Sequence, residues 1–99
     1  MEIIKEINGN QLVVKLNGEL NSFTASSFEE VIKNDLSEIK LLIIDLENLV
    51  YLSSAGLRVL LVGHKIMSKQ GKMILKHVNE SVKEIFEITG FLNILEIEN

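Results

Sequence analysis

Two adjacent serines at the head of an apolar run are the residues of this sequence best placed to do chemistry. Ser53 and Ser54 are followed by Ala55, Gly56 and the stretch 57–67, whose apolar periodicity predicts a helix. The first N–H groups of a helix lack partners within it, and together with the helix dipole they favour an anion. A serine there can cap the helix or accept a phosphoryl group, and the two roles are compatible.

Other residue types are weaker candidates. Asp45 ends an apolar run and could act as a catalytic acid, although an acid in that place more often accepts hydrogen bonds from the loop after it. His64 is predicted to pack half-buried and His77 to be exposed. Their separation does not fit the spacing of metal ligands on one helix, which argues against a metal site. The sequence contains no cysteine, which excludes disulfides and thiolate sites.

A serine hydrolase that uses Ser54, a histidine and Asp45 is the enzymatic alternative. Its nucleophile elbow, Gly-x-Ser-x-Gly, is incomplete, because Leu52 occupies the first glycine position and only Gly56 matches. The chain also lacks a glycine-rich phosphate loop. We therefore expect a protein that is not an enzyme and that binds no cofactor.

Length and composition indicate one domain. The chain has 99 residues, of which 46% are hydrophobic, and a net charge of −4 without a basic block. Nucleic acid binding is not expected, because phosphate contacts need clustered Lys and Arg. The first ten residues do not resemble a signal peptide, and the apolar runs are too short to cross a bilayer. We expect a cytoplasmic protein that does not associate with membranes.

The remaining pattern predicts an α/β fold with a mixed sheet, in the order β-β-α-β-α-β-α-β. Asn8-Gly9-Asn10 predicts a hairpin between strands 2–7 and 11–17, with Gly18 ending the second strand. Asn21 or Ser22 is expected to cap the first helix. The further elements are a helix at about 22–38, a central strand 41–45 buried on both faces, a loop 46–53, the helix 57–67 ended by Gly71, a strand 72–76, a helix 80–88 capped by Gly90, and a strand 92–97.

The central segment resembles the signature of STAS domains in anti-sigma factor antagonists. That signature is a strand ending in Asp-Leu, a short connection, either Asp-Ser-Ser-Gly-Leu or Ser-Ser-Ala-Gly-Leu, and then an aliphatic helix. The matching residues here are Asp45-Leu46 and Ser53-Ser54-Ala55-Gly56-Leu57, with further matches at Gly18-Glu19-Leu20-Asn21 and Ile88-Thr89-Gly90-Phe91. The resemblance covers nearly the whole chain and implies a single STAS domain over residues 1–99, with an N-terminal hairpin and helices packed on the sheet.

The resemblance places the phosphoacceptor on Ser54, and Ser53 remains an alternative acceptor. The acid that often precedes the acceptor in the family is replaced by Ser53, and the acid often found at position 21 is replaced by Asn21. The second serine of the family's signature is replaced by Ala55. The expected docking face therefore carries two fewer negative charges than is usual in the family.

The resemblance implies a binding cycle. The unmodified protein would bind an anti-sigma factor that is also a serine kinase, phosphorylation with ATP would separate the two, and a phosphatase would restore the first state. Arg58 is expected either to pair with a partner acid or phosphate or to be a solvated helix residue. The docking face is predicted to comprise Asn21, Ser22, Thr24, Ser53, Ala55, Gly56 and Arg58. The alternative is a STAS adaptor in a lipid-transport or stress-sensing complex without this cycle, and self-association is left open.

Overall fold

An antiparallel hairpin opens the chain in the computed structural model, which describes residues 1–98. Strands β1 (Glu2–Asn8) and β2 (Gln11–Leu20) are joined by Gly9 and Asn10. Gly9 has a φ of 63°, as the first position of a type II′ turn requires, and such turns match the twist of the flanking strands. The predicted hairpin is confirmed. The prediction that Gly18 ends the second strand is wrong, because at a φ of 106° Gly18 bends the strand without ending it.

Parallel strands extend the hairpin into a mixed sheet. The order is β1-β2-β3-β5-β6, and β4 pairs separately with the end of β2. Only the β1–β2 pair is antiparallel among the described pairs. The further strands are β3 (Leu41–Asp45), β4 (Leu49–Leu52), β5 (Lys72–Lys76) and β6 (Glu96–Glu98).

Strand β4 lies in the segment 46–53, which was predicted to be a loop, and that prediction is wrong. Gly18 pairs with Leu49 and Glu19 with Tyr51, so Val50 is an extra residue and forms a β-bulge. A bulge turns neighbouring side chains out of the regular alternation, and both Val50 and Tyr51 are exposed here. Four residues are too few for alternation to separate a strand from a loop in the sequence.

Three helices connect the strands: α1 (Thr24–Asn34), α2 (Ser54–Ser68) and α3 (Glu80–Thr89). Helix α3 agrees with the prediction and ends at Gly90, which is left-handed with a φ of 81°. The predicted bounds of α1 were too long, because buried Leu36 belongs to the turn after the helix. The predicted last strand is present but shorter than the predicted 92–97, since Phe91–Asn93 is a short 3₁₀ helix and β6 begins only at Glu96.

Helix α2 begins at Ser54, three residues earlier than predicted, and it ends at Ser68. Gly71 therefore does not end the helix. A Cβ atom at Gly71 would collide with the backbone carbonyl of Lys40, so this glycine lets two backbones approach each other. No helix formed by residues 1–98 is long and apolar enough to cross a bilayer.

The core lies between one face of the sheet and all three helices. Leu12, Leu42 and Met73 are in register on that face and are buried with the inner side chains of the helices. On the opposite face Val13 and Ile43 are half-buried. The prediction that β3 is buried on both faces is therefore wrong. The predicted α/β class with a mixed sheet is confirmed. Three ion pairs lie across the helix-free face: Lys15–Glu6, Lys72–Glu96 and Lys76–Glu98.

Candidate functional site

The start of α2 separates the roles of the two serines. Ser53 has an extended backbone, with φ −90° and ψ 169°, and its Oγ accepts a hydrogen bond from the backbone N–H of Gly56 at 3.2 Å. This is the geometry of an N-cap residue, whose side chain satisfies one of the free N–H groups of the first turn. The capping role, which the sequence left open between the two serines, therefore belongs to Ser53.

Ser54 is the first residue of α2, and its side chain is exposed. Its hydroxyl makes no hydrogen bond to any of residues 1–98, and the first turn of α2 contains no acidic residue. A free hydroxyl at the positive end of a helix dipole is sterically accessible and lies where added negative charge is stabilised. Modification of Ser54 would leave the Ser53 cap in place.

Gly56 is buried and packs against the core. A Cβ atom at this position would lie 2.6 Å from Cγ of Leu20 and 2.9 Å from Cδ1 of Leu52. The missing side chain therefore lets the end of β2 and the end of β4 lie against the first turn of α2. The predicted role of Gly56, close approach of a partner, is not what its position provides, because its open side faces the core. Ala55 is half-buried at the surface.

The start of α1 is held by a reciprocal pair of hydrogen bonds. The Oδ1 atom of Asn21 accepts from the backbone N–H groups of Phe23 and Thr24, both at 2.9 Å. The Thr24 hydroxyl accepts from the Asn21 backbone N–H at 2.8 Å and donates to the Glu19 carbonyl at 2.7 Å. The Asn21 carbonyl also accepts the Ala25 N–H at 2.9 Å, so one helical turn leads from Asn21 into α1, and Asn21 and Thr24 form a capping box around that turn. Of the two predicted caps, Asn21 rather than Ser22 therefore holds this helix start. Ser22 and Phe23 are left exposed.

A small open groove lies between the starts of α1 and α2. Its volume is about 150 Å³, less than the volume of sites that enclose a drug-sized ligand, and it fits one or two side chains of a partner. The groove brings together the two segments that the sequence assigned to one docking face. It is lined by Ser22, Ala25, Ser26 and Glu29 on one side and by Ala55, Arg58 and Val59 on the other.

Arg58 is the cation of this groove. Its side chain is exposed, and it forms no ion pair with any of residues 1–98. Glu29, on the opposite wall, is 3.6 Å from Lys33 in an i,i+4 pair on α1. The guanidinium of Arg58 is therefore available to an anion.

Asp45 and His77 meet where the neighbouring strands β3 and β5 end. The Nδ1 atom of His77 lies 3.0 Å from Oδ1 of Asp45, and the same oxygen accepts the backbone N–H of Glu47 at 3.0 Å. Burial raises the pKa of Asp45, but these contacts outweigh burial and hold the pKa below its ordinary value of 3.8. The predicted loop-capping role of Asp45 is confirmed, and His77 is exposed as predicted. Asp45, Glu47 and His77 together form a cluster of residue types that can bind a metal ion, and their ligand atoms lie within 4.8 Å of one another.

The arrangement does not assemble a serine hydrolase. Such an enzyme needs a serine hydroxyl bonded to a histidine that an acid orients. His77 is hydrogen-bonded to Asp45, but Ser54 is hydrogen-bonded to neither histidine.

Two exposed apolar side chains were not predicted from the sequence. Phe23 is 86% exposed and Val50 is 74% exposed. Hydrophobic periodicity cannot identify residues that a cap or a bulge turns outward.

Comparison with known proteins agrees with this fold. The model of the STAS domain family matches residues 2–99. The chain is 35% identical to BtrV of Bordetella bronchiseptica, whose name provisionally assigns it as an anti-sigma factor antagonist, over 100% of this chain and 87% of that protein. It is 31% identical to the anti-sigma-B factor antagonist of Listeria monocytogenes, over 97% of this chain and 86% of that protein.

A solved structure resembles the fold at lower sequence identity. The Bacillus cell fate determinant SpoIIAA in its phosphorylated form matches with a TM-score of 0.77 at 18% identity, over 99% of this chain and 92% of that chain. The predicted resemblance is confirmed by the family model and by the two sequence relatives. The chain therefore belongs to the family of STAS domains found in anti-sigma factor antagonists.

Proposed function

We propose that this protein is an anti-sigma factor antagonist controlled by phosphorylation of Ser54. The unmodified form binds an anti-sigma factor that is also a serine kinase, and this binding frees the sigma factor and so regulates transcription. Phosphorylation separates the complex, and a phosphatase restores the binding form. The names of both sequence relatives support the antagonist role.

The observation that carries the proposal is the division of labour between the two serines. Ser53 is engaged as the helix cap, whereas Ser54 is exposed with an unengaged hydroxyl. In the reaction, Oγ of Ser54 attacks the γ-phosphorus of ATP, and the bond from that phosphorus to the bridging oxygen breaks. ADP leaves, and the serine proton passes to a base of the kinase. The product carries a charge of about −1.5 to −2 at the positive end of α2.

Release follows from the position of that charge. The groove between α1 and α2 is small and open, and Ser54 stands beside it at the start of α2. A phosphoryl group at Ser54 adds bulk and charge to the docking face, whereas the contacts of Gly56 with Leu20 and Leu52 lie on the core side of α2. The fold persists, and the surface offered to the partner changes sign.

Intact mass measurement with site mapping tests the proposal. The protein is incubated with ATP and each serine kinase of the anti-sigma type encoded in the same genome. We expect one added phosphate on wild type and on Ser81→Ala, a control at an exposed serine in the first turn of α3. Ser54→Ala is expected to gain none, and binding to the kinase is expected to be lost on modification.

Other results have defined meanings. Phosphate on Ser53 would overturn the assignment of the acceptor. Tight binding without phosphate would favour an adaptor that has no modification cycle. Neither binding nor phosphate with any candidate kinase would overturn the proposed function.

A further inference from the structure

We infer that Arg58 is the intramolecular counter-ion of a phosphoryl group on Ser54, an inference about regulation that rests on the proposed function. Arg58 follows Ser54 by four residues within α2. Residues at this spacing lie on one face of a helix, about one turn apart, with Cβ atoms roughly 5–6 Å from each other. An anion that precedes a cation by four residues is the more favourable orientation of such a pair.

Both partners are free to make the contact. Each side chain is exposed, the Ser54 hydroxyl has no hydrogen-bond partner among residues 1–98, and Arg58 has no acid partner there. A new pair would therefore not need to break an existing one. The planar guanidinium can donate two parallel hydrogen bonds to phosphate oxygens, which a point charge cannot do.

No other cation on α1 or α2 competes for the phosphate. The basic residues of these helices are Lys33, Arg58, His64 and Lys65. His64 follows Ser54 by ten residues, which places it about 15 Å further along the helix. Lys33 is paired with Glu29, and Lys65 follows Ser54 by eleven residues, which places it about 16 Å further along the helix. That distance exceeds the screening length of physiological salt. Phosphorylation would thus draw the one free cation of the groove toward the modified residue.

This pairing gives the switch a second effect. In the unmodified state Arg58 presents a positive charge to a partner at the groove wall. When Ser54 carries phosphate, the guanidinium turns to the phosphate and that charge is withdrawn from the partner. One modification therefore adds a negative charge and neutralises a positive one on the same surface.

The test measures the phosphate itself and requires no partner. Phosphoserine is placed at position 54 during translation, and its second ionisation is followed by ³¹P NMR at physiological ionic strength. We expect this pKa to lie about 0.1 to 0.4 of a unit lower in wild type than in Arg58→Gln. The helix dipole and the groove's Glu29 act equally in both proteins, so the difference isolates Arg58.

Two variants sharpen the result. Lys65→Gln removes a charge of the same sign from the same helix and is expected to leave the phosphoserine titration unchanged. Arg58→Lys keeps the positive charge but lacks the planar guanidinium that can donate two parallel hydrogen bonds. Its phosphoserine pKa is expected to lie between those of wild type and Arg58→Gln. The difference between wild type and Arg58→Gln is expected to shrink at high salt, as for any exposed ion pair.

Equal titrations of wild type and Arg58→Gln, or an equal effect of Lys65→Gln, would overturn the inference. This result is separate from the fate of the proposed function, because the phosphoserine is introduced without a kinase. If kinase mapping fails but the titration shifts, Arg58 is a phosphate partner and the cycle is wrong. If mapping succeeds but the titrations coincide, the cycle stands and Arg58 has no part in it.

Discussion

Helices α2 and α3 begin with the same backbone geometry but differ at the next position. Ser53 and Asn79 are both extended, with φ −90° and −78° and ψ 169° in each. Each side chain accepts a hydrogen bond from the N–H three residues later, at 3.2 Å for Ser53 and 2.9 Å for Asn79. The first residue of α3 is Glu80, whereas the first residue of α2 is Ser54.

The difference is that the first residue of α3 is charged and the first residue of α2 is not. Glu80 supplies a carboxylate at the start of α3, where the dipole favours it at neutral pH. The same place in α2 holds a neutral hydroxyl, so no side-chain charge in its first turn compensates the dipole. Under the proposed function, a phosphate on Ser54 would supply that charge.

The third helical position provides the largest expected contrast. Gly56 of α2 has no side chain, and the side chains of Leu20 and Leu52 occupy the space that a Cβ atom would need. The corresponding residue of α3, Val82, has a side chain that is itself buried in the core. We expect Gly56→Ala to lower the free energy of unfolding by about 1–3 kcal/mol, because the added methyl group overpacks the core. Urea unfolding followed by circular dichroism measures this, with Ser81→Ala as the matched control. A Gly56→Ala protein as stable as wild type would mean that this helix start is loosely packed.

Removal of the caps should produce the next largest effect. Ser53→Ala is expected to cost about 1 kcal/mol of stability. Asn79→Ala is expected to cost more, because its Nδ2 also donates to the Leu49 carbonyl at 3.0 Å. Ser54→Ala should cost almost nothing, since its hydroxyl is unpaired. The same unfolding measurement compares all three, and equal losses for Ser53→Ala and Ser54→Ala would contradict the assigned cap.

Charge substitutions at the first helical positions should have the smallest effects, with opposite signs. Ser54→Asp is expected to raise stability and Glu80→Gln to lower it, each by about 0.3–1 kcal/mol at low ionic strength. Both effects should fade at high salt, because the charges are exposed. Thermal unfolding at low and high salt measures them. Changes of the same sign in the two variants would break the comparison between the helix starts.

Regular elements with strong local signals were predictable from the sequence. The hairpin follows from Asn8-Gly9-Asn10, and β3, β5 and the Gly90 cap follow from short apolar runs and a terminal glycine. The candidate site was predictable as a segment, because small residues before an apolar helix expose the first-turn N–H groups. The order of the strands agreed except for β4.

The errors arose where tertiary contacts override local pattern. Strand β4 exists because the end of β2 offers it a partner beyond Gly18, and no local pattern records that partner. The sequence could not divide the roles of Ser53 and Ser54, since both are good caps and only one points at the Gly56 N–H. Gly56 was assigned to a partner because its close neighbours, Leu20 and Leu52, are distant in sequence or on another element.

The order of strands in the sheet also bears on how the chain assembles during synthesis. After the hairpin, β3, β5 and β6 each join a strand that has already left the ribosome, and each then forms the new edge. Parallel pairing must wait for its crossover helix to be made. Helix α2 packs on α1, which precedes it in the chain, and on β5, which follows it. We therefore expect nascent chains to protect the hairpin first and the start of α2 only after β5 has been made.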